Sequence, residues 1–351
     1  MGLPPSEIPQ GAIRFNTDSQ KLEFYAQDQW WEMVIDTPNL GQGADTTAGA
    51  RGIFGGGFNP SPAPGANTNV IEYINISSTG NTVSFGQLTQ ARRLLSSCSS
   101  STRGVFGGGY APGTVNTIDY VTISSTGNAT SFGILSQVRY GLGACSNSTR
   151  GIFNAGYSPV VPGGATNTVD YITIASTGNA VSFGNLTTSR WYASSSSSPT
   201  RGITAGGATP AASNVIDYVT ISSLGNGTSF GSLSQARYGL SSCANATRSL
   251  FAGGQTPSSY FNTIEYVTIA TLGNAVNFGS LTVTRGYLAS CSSSIRGVFG
   301  GGYASPGATV FNTIDYVTIL TQGNAVSFGN LAVSPSVKNA NAACSNAHGG
   351  L

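Results

Sequence analysis

The sequence is short of charged residues, of histidine and of long apolar segments. Only 8% of its 351 residues are charged, and its single histidine is His348. No apolar run approaches the roughly 18 residues that a membrane-spanning helix needs. The N-terminal residues 1–7 have neither the basic nor the apolar region of a secretory signal peptide. We therefore expect no membrane insertion and no signal peptide. The 48 glycines, with abundant Ser, Thr and Asn, predict an all-β chain rich in turns.

The few charges are unevenly distributed along the chain. Residues 1–50 carry seven acidic and two basic side chains, whereas residues 51–351 carry six acidic and thirteen basic ones. This uneven charge distribution favours docking of the acidic N-terminal segment onto a basic partner. It is too weak for the electrostatic footprint of a nucleic-acid-binding protein, so we expect no nucleic-acid partner.

One sequence unit occurs six times and accounts for almost everything after residue 50. Each copy has a leading arginine, a Gly–Gly doublet (Ala155–Gly156 in the third copy), an acid followed by tyrosine, a Gly–Asn pair and a Phe–Gly pair, in that order. A period of about 50 residues is typical of propellers and solenoids. The Gly–Asn pairs are hairpin signals, and each copy predicts four short strands. The leading arginines are Arg51, Arg103, Arg150, Arg201, Arg248 and Arg296.

The two ends of the repeat array predict that a ring is closed. Residues 341–346 have the first-strand pattern of the earlier copies, but no further copy follows them. The copy that starts at Arg51 has no such strand before it. We expect the C-terminal strand to complete the first blade, so that residues 51–351 form a six-bladed β-propeller. A ring also hides the strand edges that an open stack would expose.

Residues 1–40 form a different unit, which a linker at residues 41–50 joins to the repeats. Three short segments with alternating apolar residues predict a small three-stranded β module at residues 11–15, 21–25 and 30–34. The module contains many large apolar residues for so small a sheet. We expect it to be buried against another copy of itself, against a neighbouring protein, or on the propeller. Alternation places Met33 on the apolar face too, and the residues expected to dock are Ile13, Phe15, Leu22, Phe24, Trp30 and Trp31.

The repeat resembles the kelch repeat of β-propellers. The Gly–Gly doublet, the tyrosine about 17 residues later and an aromatic residue in the fourth strand occur in the order of that family across residues 51–351. The resemblance implies a propeller, whereas the lack of a Trp–Asp dipeptide counts against WD40 repeats. The sequence departs from kelch at the last aromatic, where phenylalanine replaces the usual tryptophan at Phe85, Phe132, Phe183, Phe230, Phe278 and Phe328.

The segment from Gly11 to Tyr25, with the tryptophans after it, is similar to a short β-module found near the ends of phage tail-fibre and other virion proteins. Repeats rich in Ser, Thr, Gly and Asn and poor in lysine are in keeping with the same origin. The resemblance implies a virion protein that contacts other virion proteins through residues 1–40. A homo-oligomer formed through the same module is an alternative.

The five cysteines occupy one site in different copies, and Ser196 replaces the sixth. In a six-fold ring they would have to lie almost on the axis to come within the roughly 7 Å that a disulfide requires. No CxxC pair or histidine partner points to a metal, and the chain lacks the histidines of a galactose-oxidase-like copper site. We expect buried structural thiols, no metal and no cofactor. The cysteines are Cys98, Cys145, Cys243, Cys291 and Cys344.

The acidic residues of the repeats are as regular as the arginines. One acid and one or two arginines per copy predict a repeated salt bridge or hydrogen-bonded pair that links strands or blades. A catalytic site needs two groups with different environments and roles, and nothing breaks the symmetry in that way. We therefore expect no enzyme. The repeated acids are Glu72, Asp119, Asp170, Asp217, Glu265 and Asp315.

The copies differ most in the loop between their second and third strands. Strand parity places these loops beside the connections between copies, on what we name the variable-loop face. Variable loops on a rigid scaffold usually carry recognition, and exposed Tyr, Trp and Arg are common anchors. For any single tyrosine the alternative is that it seals a blade junction. The candidate binding residues are Phe58, Arg92, Arg93, Tyr110, Arg139, Tyr140, Tyr157, Arg190, Trp191, Tyr192, Arg237, Tyr238, Tyr260, Arg285, Tyr287 and Tyr303.

These features together predict a phage virion protein associated with a tail or fibre. Its variable-loop face is expected to bind a host-surface glycan, through sugar stacking on aromatic rings, or a neighbouring virion protein. The first alternative is a purely structural virion or capsid-decoration protein without receptor binding. A secreted carbohydrate-active enzyme ranks last, because it would require a catalytic asymmetry that the repeats lack.

Overall fold

A computed structural model describes residues 8–9, 11–16, 21–32, 50–60, 65–305, 309–334 and 337–351. The chain divides into two compact units, Met1–Ala48 and Gly49–Leu351. Regular structure in the described residues is β-strand throughout, and they contain no helix long and apolar enough to cross a membrane. The prediction of an all-β fold is confirmed.

The first unit contains a three-stranded antiparallel sheet in the order β1 (Ile13–Asn16), β2 (Lys21–Ala26) and β3 (Gln29–Glu32). Its register pairs Ile13 with Phe24 and Phe24 with Trp31, so these side chains share one face of the sheet. Ile13, Phe15 and Trp31 are exposed. Met33 and the side chain of Leu22 lie outside the described residues.

The second face of this sheet is polar and contains one of the predicted docking residues. Arg14 Nε donates to Glu23 Oε2 at 2.8 Å, and its guanidinium lies 4.1 Å from the centre of the Trp30 ring. Trp30 also makes an edge contact with Tyr25. Because neighbouring residues of a strand point to opposite faces, Trp30 is separated from Trp31 and does not belong to the apolar face.

The second unit consists of short strands joined by turns and loops. In chain order they are β4 (Arg51–Gly55), β5 (Phe58–Asn59), β6 (Ala66–Asn67), β7 (Val70–Asn75), β8 (Val83–Gln87), β9 (Ser96–Ser99), β10 (Arg103–Gly107), β11 (Thr117–Thr122), β12 (Thr130–Ile134), β13 (Gly143–Ser146), β14 (Arg150–Asn154), β15 (Thr168–Thr173), β16 (Val181–Asn185), β17 (Ser194–Ser197), β18 (Arg201–Ala205), β19 (Ala208–Thr209), β20 (Ala211–Ala212), β21 (Val215–Thr220), β22 (Thr228–Ser232), β23 (Ser241–Ala244), β24 (Arg248–Ala252), β25 (Thr263–Thr268), β26 (Val276–Ser280), β27 (Ala289–Ser292), β28 (Arg296–Gly300), β29 (Tyr303–Ala304), β30 (Thr309–Val310), β31 (Thr313–Thr318), β32 (Val326–Asn330) and β33 (Ala342–Ser345).

These strands form six antiparallel four-stranded sheets, and three short hairpins stand beside them. We number the sheets by the repeat they contain. Sheet 1 has the order β33-β4-β7-β8, sheet 2 β9-β10-β11-β12, sheet 3 β13-β14-β15-β16, sheet 4 β17-β18-β21-β22, sheet 5 β23-β24-β25-β26 and sheet 6 β27-β28-β31-β32. The first strands contact one another in cyclic order, from β33 to β9, β13, β17, β23, β27 and back to β33. The arrangement is consistent with a β-propeller-like fold.

The C-terminal strand takes the place that the sequence pattern indicates. Strand β33 pairs with β4, with Ala342 opposite Gly55 and Cys344 opposite Ile53. Sheet 1 is therefore assembled from both ends of the repeat array. This pairing supplies the first strand that the initial copy lacks.

The core of the second unit lies between neighbouring sheets. In one cluster, Ile71 and Phe85 of sheet 1 pack with Leu95 and Phe106 of sheet 2, and all four are almost fully buried. The other clusters likewise combine residues of two adjacent sheets. Burial of apolar area between sheets, at about 25 cal/mol per Å², is the main force that holds the sheets to one another.

The cysteines are buried, unpaired thiols, as predicted. Each one points at the second strand of the next sheet, where a glycine makes room for it. A Cβ atom on Gly151, for example, would lie 2.5 Å from Cys98 Sγ. Where Ser196 replaces cysteine, the facing glycine is also replaced, and the hydroxyls of Ser196 and Ser249 are hydrogen bonded at 2.5 Å.

The glycine doublets directly follow the second strands and end them. Strand β10 ends at Gly107, and Gly108 and Gly109 then have φ values of +65° and +111°. A Cβ atom on Gly108 would lie 2.7 Å from the carbonyl oxygen of Arg139. The doublet thus turns the chain out of the sheet beside the next connection.

Candidate functional site

The structure brings the predicted variable loops and connections together. Isolated bridges join Arg93 to Tyr110 and Tyr140 to Tyr157, and equivalent bridges occur at the other connections. Each connection contributes three consecutive positions, of which the first is a basic residue. The six connections begin with Arg92, Arg139, Arg190, Arg237, Arg285 and Lys338.

The basic residues at the first position are buried, whereas the sequence prediction counted five of them among the exposed binding residues. Arg92, Arg139, Arg190, Arg237 and Arg285 are each fully buried. Every one forms an ion pair with the acid of a third strand, as Arg139 Nη2 does with Asp170 Oδ2 at 2.6 Å. Their guanidinium groups also donate to backbone carbonyls, such as those of Phe153 and Thr168 for Arg139. These contacts hold the connections to the sheets.

A backbone irregularity that recurs in every sheet presents the acids to these cations. In each sheet the register between third and fourth strands shifts immediately before the acid, for example between Val169 and Asp170. Such a bulge redirects a side chain. Burial lowers the pKa of the Arg139 guanidinium, and the charge of Asp170 raises it in opposition. Arginine remains charged in proteins.

Sequence reasoning missed the sixth member of this set. Lys338 is fully buried and forms an ion pair with Glu72, so a lysine closes the series in sheet 1. The sequence signal that identifies Lys338 is its spacing from the following repeat position. The first-position arginines precede the leading arginines by a constant eleven residues, as Arg92 precedes Arg103, and Lys338 stands at the matching distance before Gly349.

The leading arginines do not pair with the acids and have a different role from the first-position arginines. Arg103 Nη1 donates to the carbonyls of Ile174 and Ala175 in sheet 3 at 3.0 and 2.8 Å, and its guanidinium lies 4.7 Å from the Tyr120 ring centre. The other copies repeat this pattern. These arginines join adjacent sheets on the side opposite the variable loops, which we name the turn face.

Three connections carry a partly exposed aromatic residue at the second position, namely Tyr140, Trp191 and Tyr238, and these residues meet aromatic residues of the variable loops. Tyr140 stacks on Tyr157 with ring centres 5.0 Å apart, and Tyr157 makes an edge contact with Trp191 at 5.6 Å. Tyr140 also contacts Tyr110 at 5.9 Å. Arg93 is partly exposed and lies over both Phe58 and Tyr110, at 4.4 and 5.3 Å. The result is a continuous run of aromatic side chains.

A second group of aromatic contacts extends this run. Tyr192 stacks on Tyr238 at 6.1 Å and contacts Tyr287 edge-on at 5.3 Å. Tyr260 and Tyr303 form a separate pair at 5.8 Å. Burial raises the pKa of Tyr260 to about 12 and raises the pKa of Tyr192 and Tyr287 as well. These phenols are therefore neutral at working pH and can both donate and accept hydrogen bonds.

The third position lies closest to the shared axis of the first strands. Its six residues line one end of a cavity of about 110 Å³ between those strands. Tyr192 and Tyr287 were predicted as binding residues, but nothing in the sequence distinguishes them from the second-position aromatic residues. The third-position residues are Leu94, Gly141, Tyr192, Gly239, Tyr287 and Ala340.

The described residues contain no group of three or more His, Cys, Asp or Glu side chains that could hold a metal ion. No protein-family model matches the chain, and no curated protein resembles it in sequence. The likeness of the repeat to kelch and of residues 11–25 to phage virion modules stays a prediction. The aromatic run on the variable-loop face is the candidate site.

Proposed function

We propose that the chain is a six-bladed propeller of a phage virion, kelch-like in its repeat, that binds a carbohydrate on the host surface through its variable-loop face. The observation that carries this proposal is the aromatic run from Tyr110 through Tyr140 and Tyr157 to Trp191. Partly exposed rings in contact with one another offer flat apolar surfaces beside hydroxyl groups. Such surfaces suit the C–H faces and hydroxyl groups of sugars.

The charges of the variable-loop face support a ligand with little net charge. The first-position arginines are buried in ion pairs with acids. Arg93 is therefore the partly exposed cation among the predicted binding residues. A nucleic acid or a polyanionic glycan would require many more cations. A neutral or weakly acidic glycan fits this composition best.

The first unit itself supports attachment through residues 1–40, because its apolar residues Ile13, Phe15 and Trp31 are exposed. In the proposed virion, residues 1–40 contact other virion proteins through Ile13, Phe15, Phe24 and Trp31, and the variable-loop face stays free.

The test is binding of the full chain to intact host cells and to an array of bacterial surface polysaccharides. We expect binding that falls about tenfold or more in the double variant Tyr140→Ala, Trp191→Ala, because each removes a stacking surface. Leu272→Thr is the matched control on the turn face, where Leu272 is exposed and three other copies carry threonine.

Two outcomes would contradict carbohydrate recognition. One is the absence of binding to any cell or polysaccharide. The other is binding that the double variant leaves unchanged. Either outcome would favour the purely structural role, which a map of intact particles would support if the variable-loop face were buried against other subunits.

A further inference from the structure

The last residues of the six first strands form a ring of hydrogen bonds around the axis at the turn face. Each serine hydroxyl of this ring donates to the backbone carbonyl of the preceding sheet, as Ser146 Oγ does to Ser99 O at 2.7 Å. Four further serines repeat the bond. Sheet 5 has Ala244 at this position, so no hydroxyl of the ring donates to the carbonyl of Ser197. The members of this serine ring are Ser99, Ser146, Ser197, Ala244, Ser292 and Ser345.

Residues 346–351 lie across the serine ring, and we name them the axial plug. Gly349 N donates to Ala244 O of sheet 5 at 2.9 Å. His348 Nε2 lies 2.9 Å from Ser99 O of sheet 2. Because the plug directly follows strand β33, it connects the turn-face end of sheet 1 with those of sheets 2 and 5.

The plug fits the serine ring through two glycines that have no room for a side chain. A Cβ atom on Gly349 would lie 2.7 Å from Ser197 O, the carbonyl to which no serine of the ring donates. A Cβ atom on Gly350 would lie 1.8 Å from Ser146 O. Backbones approach this closely only where glycine stands. The fit leaves the docked plug little freedom to adjust its position.

The hydrogen bonds of the plug require a neutral imidazole at His348. The N–H group of Gly350 donates to His348 Nδ1 at 3.0 Å, so Nδ1 carries no proton and the proton of the ring lies on Nε2, which donates to Ser99 O. Protonation of Nδ1 would set two N–H groups against each other and break the bond to Gly350. Burial lowers the pKa of His348 from its ordinary value of 6.5, and the hydrogen bond to Ser99 raises it in opposition.

The surroundings of His348 contribute no carboxylate side chain that would stabilise an imidazolium. The first strands around it carry cysteine thiols, and burial raises the pKa of those of Cys98 and Cys145, which therefore stay neutral. The acids of the six repeats are paired with first-position cations. The charged side chains of the turn face are the leading arginines, of which Arg51 donates its backbone N–H to Asn346 Oδ1 of the plug. Where the chain ends at Leu351, its carboxylate is the one acidic group of the plug.

We propose that the axial plug is an acid-sensitive closure, in which protonation of His348 detaches residues 346–351 from the serine ring and opens the turn-face end of the axis. A released histidine binds a proton below about pH 6.5, whereas the docked one binds it less readily. Docking is therefore complete above about pH 6.5 and is lost progressively as the pH falls from there to the lower pKa of the docked form. In that range the ratio of released to docked plug rises by up to about tenfold per pH unit. This inference is independent of the proposed carbohydrate binding.

The test is NMR spectroscopy of the full chain between pH 7 and pH 5. His348 is the single histidine, so its ring signals need no further assignment. We expect them to show the Nε2–H tautomer at pH 7 and to titrate below pH 6.5. Hydrogen exchange of the Gly349 and Gly350 amides, corrected for the intrinsic rate, should accelerate about tenfold between pH 7 and pH 5. The amides of strand β33 should remain protected over the same range.

Two variants of His348 separate its charge from other effects of acid. His348→Gln cannot be protonated in this range, so the corrected exchange rates of Gly349 and Gly350 should be equal at pH 7 and pH 5. His348→Lys carries a permanent charge and should release the plug already at pH 7. Both variants should melt within about 4 °C of the parent, because the plug is no part of the four-stranded sheets. The proposal is wrong if His348 titrates at or above pH 6.5, if the parent's plug amides stay protected at pH 5, or if His348→Gln responds to acid as the parent does.

Discussion

Individual charged residues in this molecule stabilise the fold more than they shape a site. Arg139 is fully buried, and its guanidinium bonds to Asp170 and to the carbonyls of Ala155, Phe153 and Thr168. Five further sheets repeat this arrangement, with lysine in one of them. The variable-loop face has few exposed cations as a consequence, because the first-position arginines all pair with acids in the interior.

Replacing Arg139 by methionine should lower the free energy of unfolding by about 3–5 kcal/mol, because Asp170 would stay buried without its cation. Urea denaturation measures the change. The double variant Arg139→Met, Asp170→Leu should recover part of the loss, since it removes the unpaired charge. Lys338→Arg, which keeps a cation opposite Glu72, is the conservative control. If Arg139→Met lowered the free energy of unfolding no more than Lys338→Arg does, the assignment would be wrong.

The cysteines make the stability depend on pH in the alkaline range. Burial raises the pKa of the Cys145 and Cys344 thiols to about 12 and that of the other three in the same direction. An unfolded thiol ionises near pH 8.5. The neutral thiols therefore contribute stability that is complete below about pH 8.5 and is lost as the pH rises toward 12.

We expect the native chain to resist Ellman's reagent at pH 8 and to react only when guanidinium unfolds it, because buried neutral thiols are poor nucleophiles. Thermal unfolding should also occur at progressively lower temperature between pH 9 and pH 11. Cys145→Ser, which copies Ser196, should show a smaller decline over that range. Rapid labelling of the folded chain would contradict this account.

At the scale of elements, adjacent sheets are matched strand by strand. Cys98 faces Gly151, whereas Ser196 faces Ser249, so both partners change together. A second matched change involves the phenylalanines of the second strands. Phe153 packs against Gly107. The next copy has Thr204 in that place and Asn154 opposite it, with Ser195 hydrogen bonded to both.

The Ser196 and Ser249 pair predicts a strong coupling in a double-mutant cycle. Ser196→Cys should crowd Ser249 and cost about 1–3 kcal/mol. Ser249→Gly should cost about 1–2 kcal/mol, because the Ser196 hydroxyl loses its partner. The double variant restores the pair found in the other copies and should unfold close to the parent. Additive losses, measured by chemical denaturation, would show that the two strands are not matched through these residues.

At the scale of the whole molecule, the two ends of the repeat array stabilise one another. Strand β33 pairs with β4 and contacts the first strands β9 and β27 on either side. The residues after it also lie against the first strands, since His348 Nε2 is 2.9 Å from Ser99 O and Gly349 N donates to Ala244 O. The last strand thus links sheet 1 to both of its neighbours.

Deleting residues 341–351 should abolish a single cooperative unfolding transition and promote aggregation, because β4 becomes an open edge and three sheets lose contacts. Calorimetry and size-exclusion chromatography report both effects. Deleting only residues 347–351 is the control, which retains β33 and should lower the melting temperature by only a few degrees. A deletion of 341–351 that unfolds like the parent would contradict the role given to β33.

Much of the fold follows from local signals that the sequence repeats six times. Gly–Asn pairs specify hairpins and alternation specifies strands, so the all-β class and the strand order within each copy are readable. The pairing of residues 342–345 with the first copy is readable as well, because an unmatched first-strand pattern at one end complements a missing one at the other. These are questions of local conformation and of counting.

The separate roles of the first, second and third positions of each connection were decided by the tertiary structure alone. Arg190, Trp191 and Tyr192 are adjacent in sequence, yet the first is buried on Asp217, the second contacts Tyr157 and the third borders the axial cavity. The sequence determined that the molecule repeats, because hairpin and strand preferences depend on near neighbours. Only the tertiary structure decided which of three consecutive side chains meets an acid, a loop or the axis, because those partners lie 27 to 51 residues away along the chain.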